Sequence, residues 1–298
     1  MTNLVTPSRE RIASLGLFCL LVTSVSWGLA WPISKYLLAQ WPPLSMRGGA
    51  GFVGGLLLAG VAVAQGHSLH VPRKQWPALI LSAFLNVTIW VALIGLALLW
   101  LPASEAAVIT ATMPVWTTAL AWLLIAEKMT PLRLLGLAMG IAGIVALMGG
   151  NGVTASLARA PGIALALTAS FGFALGVVLM KKNPLTLALP VAAAWQVLIG
   201  CLPVALLGLV IEQPSVAALN AVGWILLSLM ATVQFCLAYL CWFTAIKLLP
   251  ASVASIGTLA VPVIGVVASA IALHEPLGPG QIAALVFTLA GVVLATRS

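Results

Sequence analysis

Leu101-Pro102-Ala103-Ser104 returns later in the same chain as Leu249-Pro250-Ala251-Ser252, and the agreement continues beyond those four residues at one fixed offset. Thr110 meets Thr258, Pro114 meets Pro262, Glu127 meets Glu275, Pro131 meets Pro279 and Gly143 meets Gly291, with no slip of register. Carried backwards without a gap, the offset pairs Trp76 with Trp224 and Asn86 with Gln234, so the duplication covers more than the latter half of each repeat. The halves are expected at residues 1–150 and 151–298, joined in one integrated membrane domain. An internal repeat of this length in an apolar chain is the signature of a secondary carrier, with its site at the repeat interface.

Hydrophobic residues make up 62% of the 298 and charged residues only 6%, against roughly 25% charged in soluble domains. No soluble core absorbs that much apolar surface. A helical span needs roughly 20 apolar residues to cross a hydrocarbon layer about 30 Å thick. Charged, Pro-rich or polar breaks delimit ten such spans, at 12–38, 44–65, 76–99, 102–126, 131–149, 160–180, 187–211, 220–247, 250–273 and 279–296. The first follows a basic start, as a signal peptide does, but it exceeds the usual length of such a region and carries two Trp, so it is read as a membrane helix. The expected fold is therefore an all-α integral membrane protein of ten transmembrane helices.

A net charge of +8 raises the question of a polyanionic partner, which the distribution answers. With the N-terminus inside, Arg9, Arg11, Arg73, Lys74, Lys128, Arg133, Lys181, Lys182, Lys247 and Arg297 fall on the cytoplasmic side, and only Lys35, Arg47 and Arg159 outside. This is the positive-inside asymmetry, placing both termini in the cytoplasm and implying no nucleic acid. Cys19, Cys201, Cys236 and Cys241 lie within apolar spans without metal or redox spacing and read as packing residues. His67-Ser68-Leu69-His70 offers too few ligands for zinc, so no metal and no cofactor is implied.

The polar and aromatic residues that lie deep in the spans are the candidates for a site. Helix 1 carries Ser24, Trp27, Trp31 and Lys35 along one stripe, and helix 3 carries Ser82, Asn86 and Trp90 four residues apart. Asn86, about ten residues in, falls near the bilayer centre at 1.5 Å per residue, and Gln234 lies equally deep in helix 8. Helix 8 adds Ser228, Thr232, Phe235, Tyr239 and Trp242 as a second polar and aromatic stripe. When the offset is shortened by four residues, Ser26-Trp27-Gly28 aligns with Ser170-Phe171-Gly172, which nominates Phe171. Pro114 and Pro262 cannot donate to the carbonyls of Thr110 and Thr258, so backbone polarity is released at mid-span in both halves and each Pro is a candidate gating kink. Trp27, Asn86, Trp90, Thr110, Phe171, Gln234, Tyr239 and Thr258 are accordingly expected to bind substrate. Helices 5 and 10, rich in Gly and Ala, read as supports or an oligomer surface.

Ten spans in two five-helix repeats, the Leu-Pro-Ala-Ser opening, and Glu127 near the end of helix 4 followed by a helix led by Pro131 resemble the EamA branch of the drug/metabolite transporter superfamily. The aromatic residues of helices 1, 3 and 8 make the chain similar to its YddG type, the bacterial exporters of aromatic amino acids. The resemblance implies an inner-membrane exporter of amino acids with a central cavity between the halves. Because five is odd, the second repeat is inverted, which gives alternating access a symmetric basis. Trp27 stands where the small multidrug members carry an acidic residue, which speaks against their proton-exchange chemistry.

A carrier of other specificity, a narrow channel and an integral membrane enzyme are the competing readings. The last needs an acid, base, nucleophile or metal set, whereas the chain has no Asp, its Glu residues lie near span ends or in the N-terminal tail, and no His pairs with a carboxylate at depth. The expectation is no enzyme, a small-molecule substrate and a lipid bilayer as partners, and facilitated export without a dedicated intramembrane carboxylate. Glu105, about one turn into helix 4 and matched by Val253, is expected to act on the helix N-terminus. Lys35 is expected to snorkel to the interface or to attract a substrate carboxylate.

Overall fold

The computed structural model describes residues 9–126, 130–149, 153–249 and 260–296. Regular structure among them is helical, with no strand. The segments are numbered α1 (Arg9–Leu38), α2 (Pro43–Ala64), α3 (Arg73–Ala97), α4 (Ala103–Ile125), α5 (Pro131–Gly149), α6 (Val153–Lys182), α7 (Leu189–Ile211), α8 (221–248), α9 (Ala260–Leu273) and α10 (Pro279–Thr296). Seven of these, α1 to α4 and α6 to α8, contain stretches long and apolar enough to cross a membrane, while α5, α9 and α10 are apolar over shorter described lengths. The boundaries follow the breaks in the sequence closely, because Pro occupies the first or second position of α2 and α7 and the N-cap of α4, where a missing N–H costs nothing.

Helix pairing fixes the layout. α2 packs along α7 and α5 along α10, α1 lies against α8 and α9, and α6 lies against α3 and α4. Small residues set these distances. A Cβ on Gly143 of α5 would come within 2.6 Å of Thr288 Oγ1 and 3.0 Å of the Ala284 carbonyl, and one on Gly291 of α10 within 2.7 Å of the Gly136 carbonyl. The two repeat-related glycines thus sit on each other's helices, and α5 and α10 serve as mutual supports.

Three spans depart from regular α-helix, each near its middle. In α3 the turn at Phe84–Thr88 is π-helical, and in α8 so is Met230–Leu237. Ile89 N–H bonds the Phe84 carbonyl and Ala238 N–H the Val233 carbonyl, each five residues back. Inserting such a turn rotates one half of a helix against the other. α4 is divided into Ala103–Thr110 and Met113–Ile125, with Pro114 opening the second piece and Thr112 N–H turning back to the Ile109 carbonyl. Pro114 therefore breaks the span rather than bending a continuous helix.

At one end of the bundle, carboxylates from neighbouring helices close two helix N-termini. Glu212, just past α7, accepts from the N–H of Leu44 at 3.0 Å and of Ser45 at 2.7 Å. Glu275, just past α9, accepts from the N–H of Ala103 at 2.7 Å and of Ser104 at 2.9 Å, and from the Ser104 hydroxyl. A negative charge over unsatisfied N–H groups is favoured by hydrogen bonding and by the helix dipole. This assigns the Leu-Pro-Ala-Ser motif at 101–104 a structural task, which its Ser hydroxyl and open N–H groups perform. Glu127 and Pro250-Ala251-Ser252 lie outside the described residues.

Candidate functional site

α1 and α8 meet through their backbones as well as their side chains. The Thr23 hydroxyl donates to the Ala238 carbonyl at 3.1 Å, and Trp27 Nε1 to the Gln234 carbonyl at 3.4 Å. The π-turn of α8 supplies the second acceptor, since its altered hydrogen bonding changes which carbonyls stay within the helix. Around that contact the Trp27 ring stands edge-on to Tyr239, centroids 5.6 Å apart, and tilted against Trp242 at 5.8 Å. Both spacings lie in the favourable range for aromatic pairs. Trp27 and Tyr239 are half-buried, and Gln234 is buried.

The equivalent turn of α3 holds the second amide. Asn86 is buried, its Nδ2 donates to the Met180 thioether at 2.9 Å, and its Oδ1 is buried without a hydrogen-bond partner. Gly176 of α6 makes the room, for a Cβ there would lie 2.0 Å from Asn86 Oδ1. A thioether is a weak acceptor and an orphaned amide oxygen is costly, so this side chain is held in place by packing and retains unused hydrogen-bonding capacity. One turn on, Trp90 meets Phe173 at 5.3 Å.

The structure therefore brings Trp27, Gln234 and Tyr239 together and places Asn86 and Trp90 on the α3–α6 seam. Phe171 is 41% exposed and pairs with Trp116 at 5.9 Å, whereas Phe173 meets Trp90. Thr110 is buried, and its hydroxyl bonds the Ala106 and Ala107 carbonyls, consistent with a local role at the break in α4. Pro262 is buried near the start of α9, and Thr258 lies outside the described residues. Ser228 and Thr232, read from the sequence as one face with Tyr239 and Trp242, are exposed and line a shallow outward groove of ≈ 330 Å³ with Trp224, Ile225 and Leu229. The π-turn separates the two parts of that stripe.

Three charged residues take places the sequence does not reveal. The ammonium of Lys35 donates to the Leu98 and Leu101 carbonyls, the latter at 2.8 Å, and so closes the C-terminal end of α3 instead of snorkelling. Glu105, 2% exposed, forms an ion pair with Arg159 of α6. Arg47, expected on the outer side from the charge pattern, is buried in α2.

One family model matches the chain twice. The model described as "EamA-like transporter family" matches residues 14–149 and again 160–297. The chain belongs to the EamA-like transporter family. As a member it is a multi-pass membrane transporter of a small-molecule substrate, in keeping with its apolar helices. The Bacillus subtilis (strain 168) protein named "Uncharacterized transporter YvbV" is 33% identical over 270 residues, covering 91% of this chain and 88% of that protein. A second relative, from Salmonella typhimurium, is named "Probable amino-acid metabolite efflux pump"; it is 26% identical over 294 residues, 93% of each chain. The fold is also that of a solved crystal structure with TM-score 0.67 and 20% identity, covering 97% of this chain and 98% of that one.

Proposed function

We propose that this EamA-family transporter exports amino acids, aromatic or hydrophobic ones and related metabolites, across the bacterial inner membrane by alternating access. The observation that carries the reading is the aromatic corner of Trp27, Tyr239 and Trp242 around the π-turn of α8, where Trp27 bonds the backbone carbonyl of Gln234, a residue whose side chain is buried. Ring faces and edges accept a planar side chain, while amides at mid-span bond an amino-acid moiety. The Salmonella relative named for amino-acid metabolite efflux supports the same substrate class.

The proposed architecture is ten transmembrane helices in two inverted five-helix repeats around a central cavity, with both termini cytoplasmic. Exchanging α1–α5 for α6–α10 turns the α1–α8 contact into α6–α3 and α1–α9 into α6–α4, and leaves α2–α7 and α5–α10 as they are. The same exchange relates the π-turn at Asn86 to that at Gln234. Pro114 and Pro262 are the proposed gating points, with Thr110 and Thr258 beside them. Transport runs down the substrate gradient: Glu105, which is buried, is engaged in a structural ion pair with the partly exposed Arg159.

Proteoliposomes loaded with single amino acids test the substrate class. Saturable, counter-substrate-stimulated flux of aromatic or large apolar amino acids is expected. Flux that grows linearly with concentration, or that ignores every amino acid while carrying other metabolites, rejects the assignment.

A further inference from the structure

Arg47 is 8% exposed, one turn inside α2, among α1, α3, α7 and α8. A charged group buried inside a membrane span is costly and marks a functional position unless it is neutralised by a partner. Arg159 has Glu105 for that purpose. Arg47 donates from Nε to the Val91 carbonyl at 3.2 Å and from Nη1 to the Ser34 hydroxyl at 3.0 Å. These contacts engage two of its five N–H donors and bring no negative charge. Among the described residues no carboxylate pairs with it. The titratable neighbours within electrostatic reach are Cys201 and Tyr239, groups that ordinarily ionise only above neutral pH. Nor does the duplicated frame require a cation there, since the same offset places Trp195 on α7.

The remaining donors of a guanidinium form a planar fork that fits a carboxylate in two parallel hydrogen bonds. Tyr239 links this cation to the aromatic corner, being within electrostatic reach of Arg47 and edge-on to Trp27 at 5.6 Å. Along α1, Ser34 lies two turns beyond Trp27, on the order of 10 Å at 1.5 Å per residue. A solute anchored by its acid group at one end and stacked by its ring at the other suits that span.

We propose that Arg47 is the anion-recognition residue of this transporter and that its solute carries a carboxylate, a selection that amides and aromatic rings alone do not impose. The proposal rests on the amino-acid reading above and sharpens it, because decarboxylated amines and neutral amides become poor substrates. It is tested on the purified full chain by thermal stabilisation with L-tryptophan, L-tryptophan amide and tryptamine, and with indole-3-acetate against indole-3-acetamide. Acids should stabilise the parent protein at concentrations at least ~10-fold below those of their amides, the scale of a charge-assisted pair. Arg47→Gln should bring acid and amide within about twofold, and Arg47→Lys should retain part of the preference, as a point charge does. If Arg47→Gln does not fold, the ligand series on the parent and on Arg47→Lys decides. Equal stabilisation by acid and amide in the parent, or an undiminished preference in Arg47→Gln, overturns the proposal. Preference for indole-3-acetate with no response to tryptophan upholds Arg47 and rejects the amino-acid reading; no stabilisation by any of the acids rejects both.

Discussion

Glu275 binds the N–H of Ser104, at 2.9 Å, together with its hydroxyl, so a carboxylate from the end of α9 holds the beginning of α4. Glu212 holds Ser45 at the start of α2 in the same way. Both clamps join helices from opposite halves of the chain. They are points where the halves are tied at one end of the bundle, and releasing them is required if that end is to open.

Glu275→Gln removes the charge but keeps the shape, and a lost charge-assisted cap costs about 1.5–3 kcal/mol. The expected outcome is a lower unfolding temperature in detergent with increased labelling of a cysteine placed at Ser104. Unchanged stability and labelling would mean that the clamp does not hold the two helices together.

Glu105 and Arg159 differ in exposure, 3% against 30% for their side chains, so the two single substitutions should not cost the same. Arg159→Gln removes the cation beside a buried carboxylate and is expected to destabilise by about 3 kcal/mol, the lower end of the range for broken buried pairs. Glu105→Gln should cost less, and the double variant should regain part of the loss. Counterflow by Glu105→Gln with no ion gradient should persist at parental rates. Loss of a pH-driven, concentrative transport that the parent shows would identify Glu105 as a coupling group instead.

The α5–α10 contact depends on the absence of side chains at Gly143 and Gly291. Gly291→Val places carbon against the Gly136 carbonyl, and overpacking of this kind costs about 1–3 kcal/mol. Thermal unfolding should detect it, whereas Gly60→Val, with open space around its position, should be near neutral.

Much of the fold was legible because Pro, Gly and charge punctuate an otherwise apolar chain. The break at Pro102 could be read directly, since backbone chemistry dictates it locally, whereas Gly143 and Gly291 are matched in sequence by the repeat offset and their close approach to the facing helix is seen only in the structure. For the candidate site, depth along a span is legible in sequence, whereas helical phase is not. Depth and repeat pairing nominate Asn86 and Gln234, which are both buried, but the π-turns that hold them have no sequence sign, so Ser228 and Thr232, expected on the face of Tyr239, are instead exposed. Shortening the offset by four residues nominated Phe171, while Phe173 is the ring against Trp90. The charge pattern places Arg47 on the outer side, but its burial depends on the side chain's direction, which position along the chain does not give.

Cysteines introduced at the half-buried Trp27, Trp90 and Tyr239 should react with water-soluble thiol reagents, and the native Cys19, Cys201, Cys236 and Cys241, all buried, provide a low background. Labelling at mid-span of α5 and α10, with these positions silent, would move the pathway elsewhere.

The most direct measurement is counterflow of radiolabelled L-tryptophan in proteoliposomes without an ion gradient, comparing the parent with Trp27→Ala and Tyr239→Phe. Loss of an aromatic partner costs about 1–3 kcal/mol of recognition, as for base–aromatic stacking, so Trp27→Ala should raise KM by at least about fivefold while Tyr239→Phe, which keeps the ring, stays near the parent. Parental flux that is not saturable, or a KM that Trp27→Ala leaves unchanged, would contradict an aromatic amino-acid site between α1 and α8.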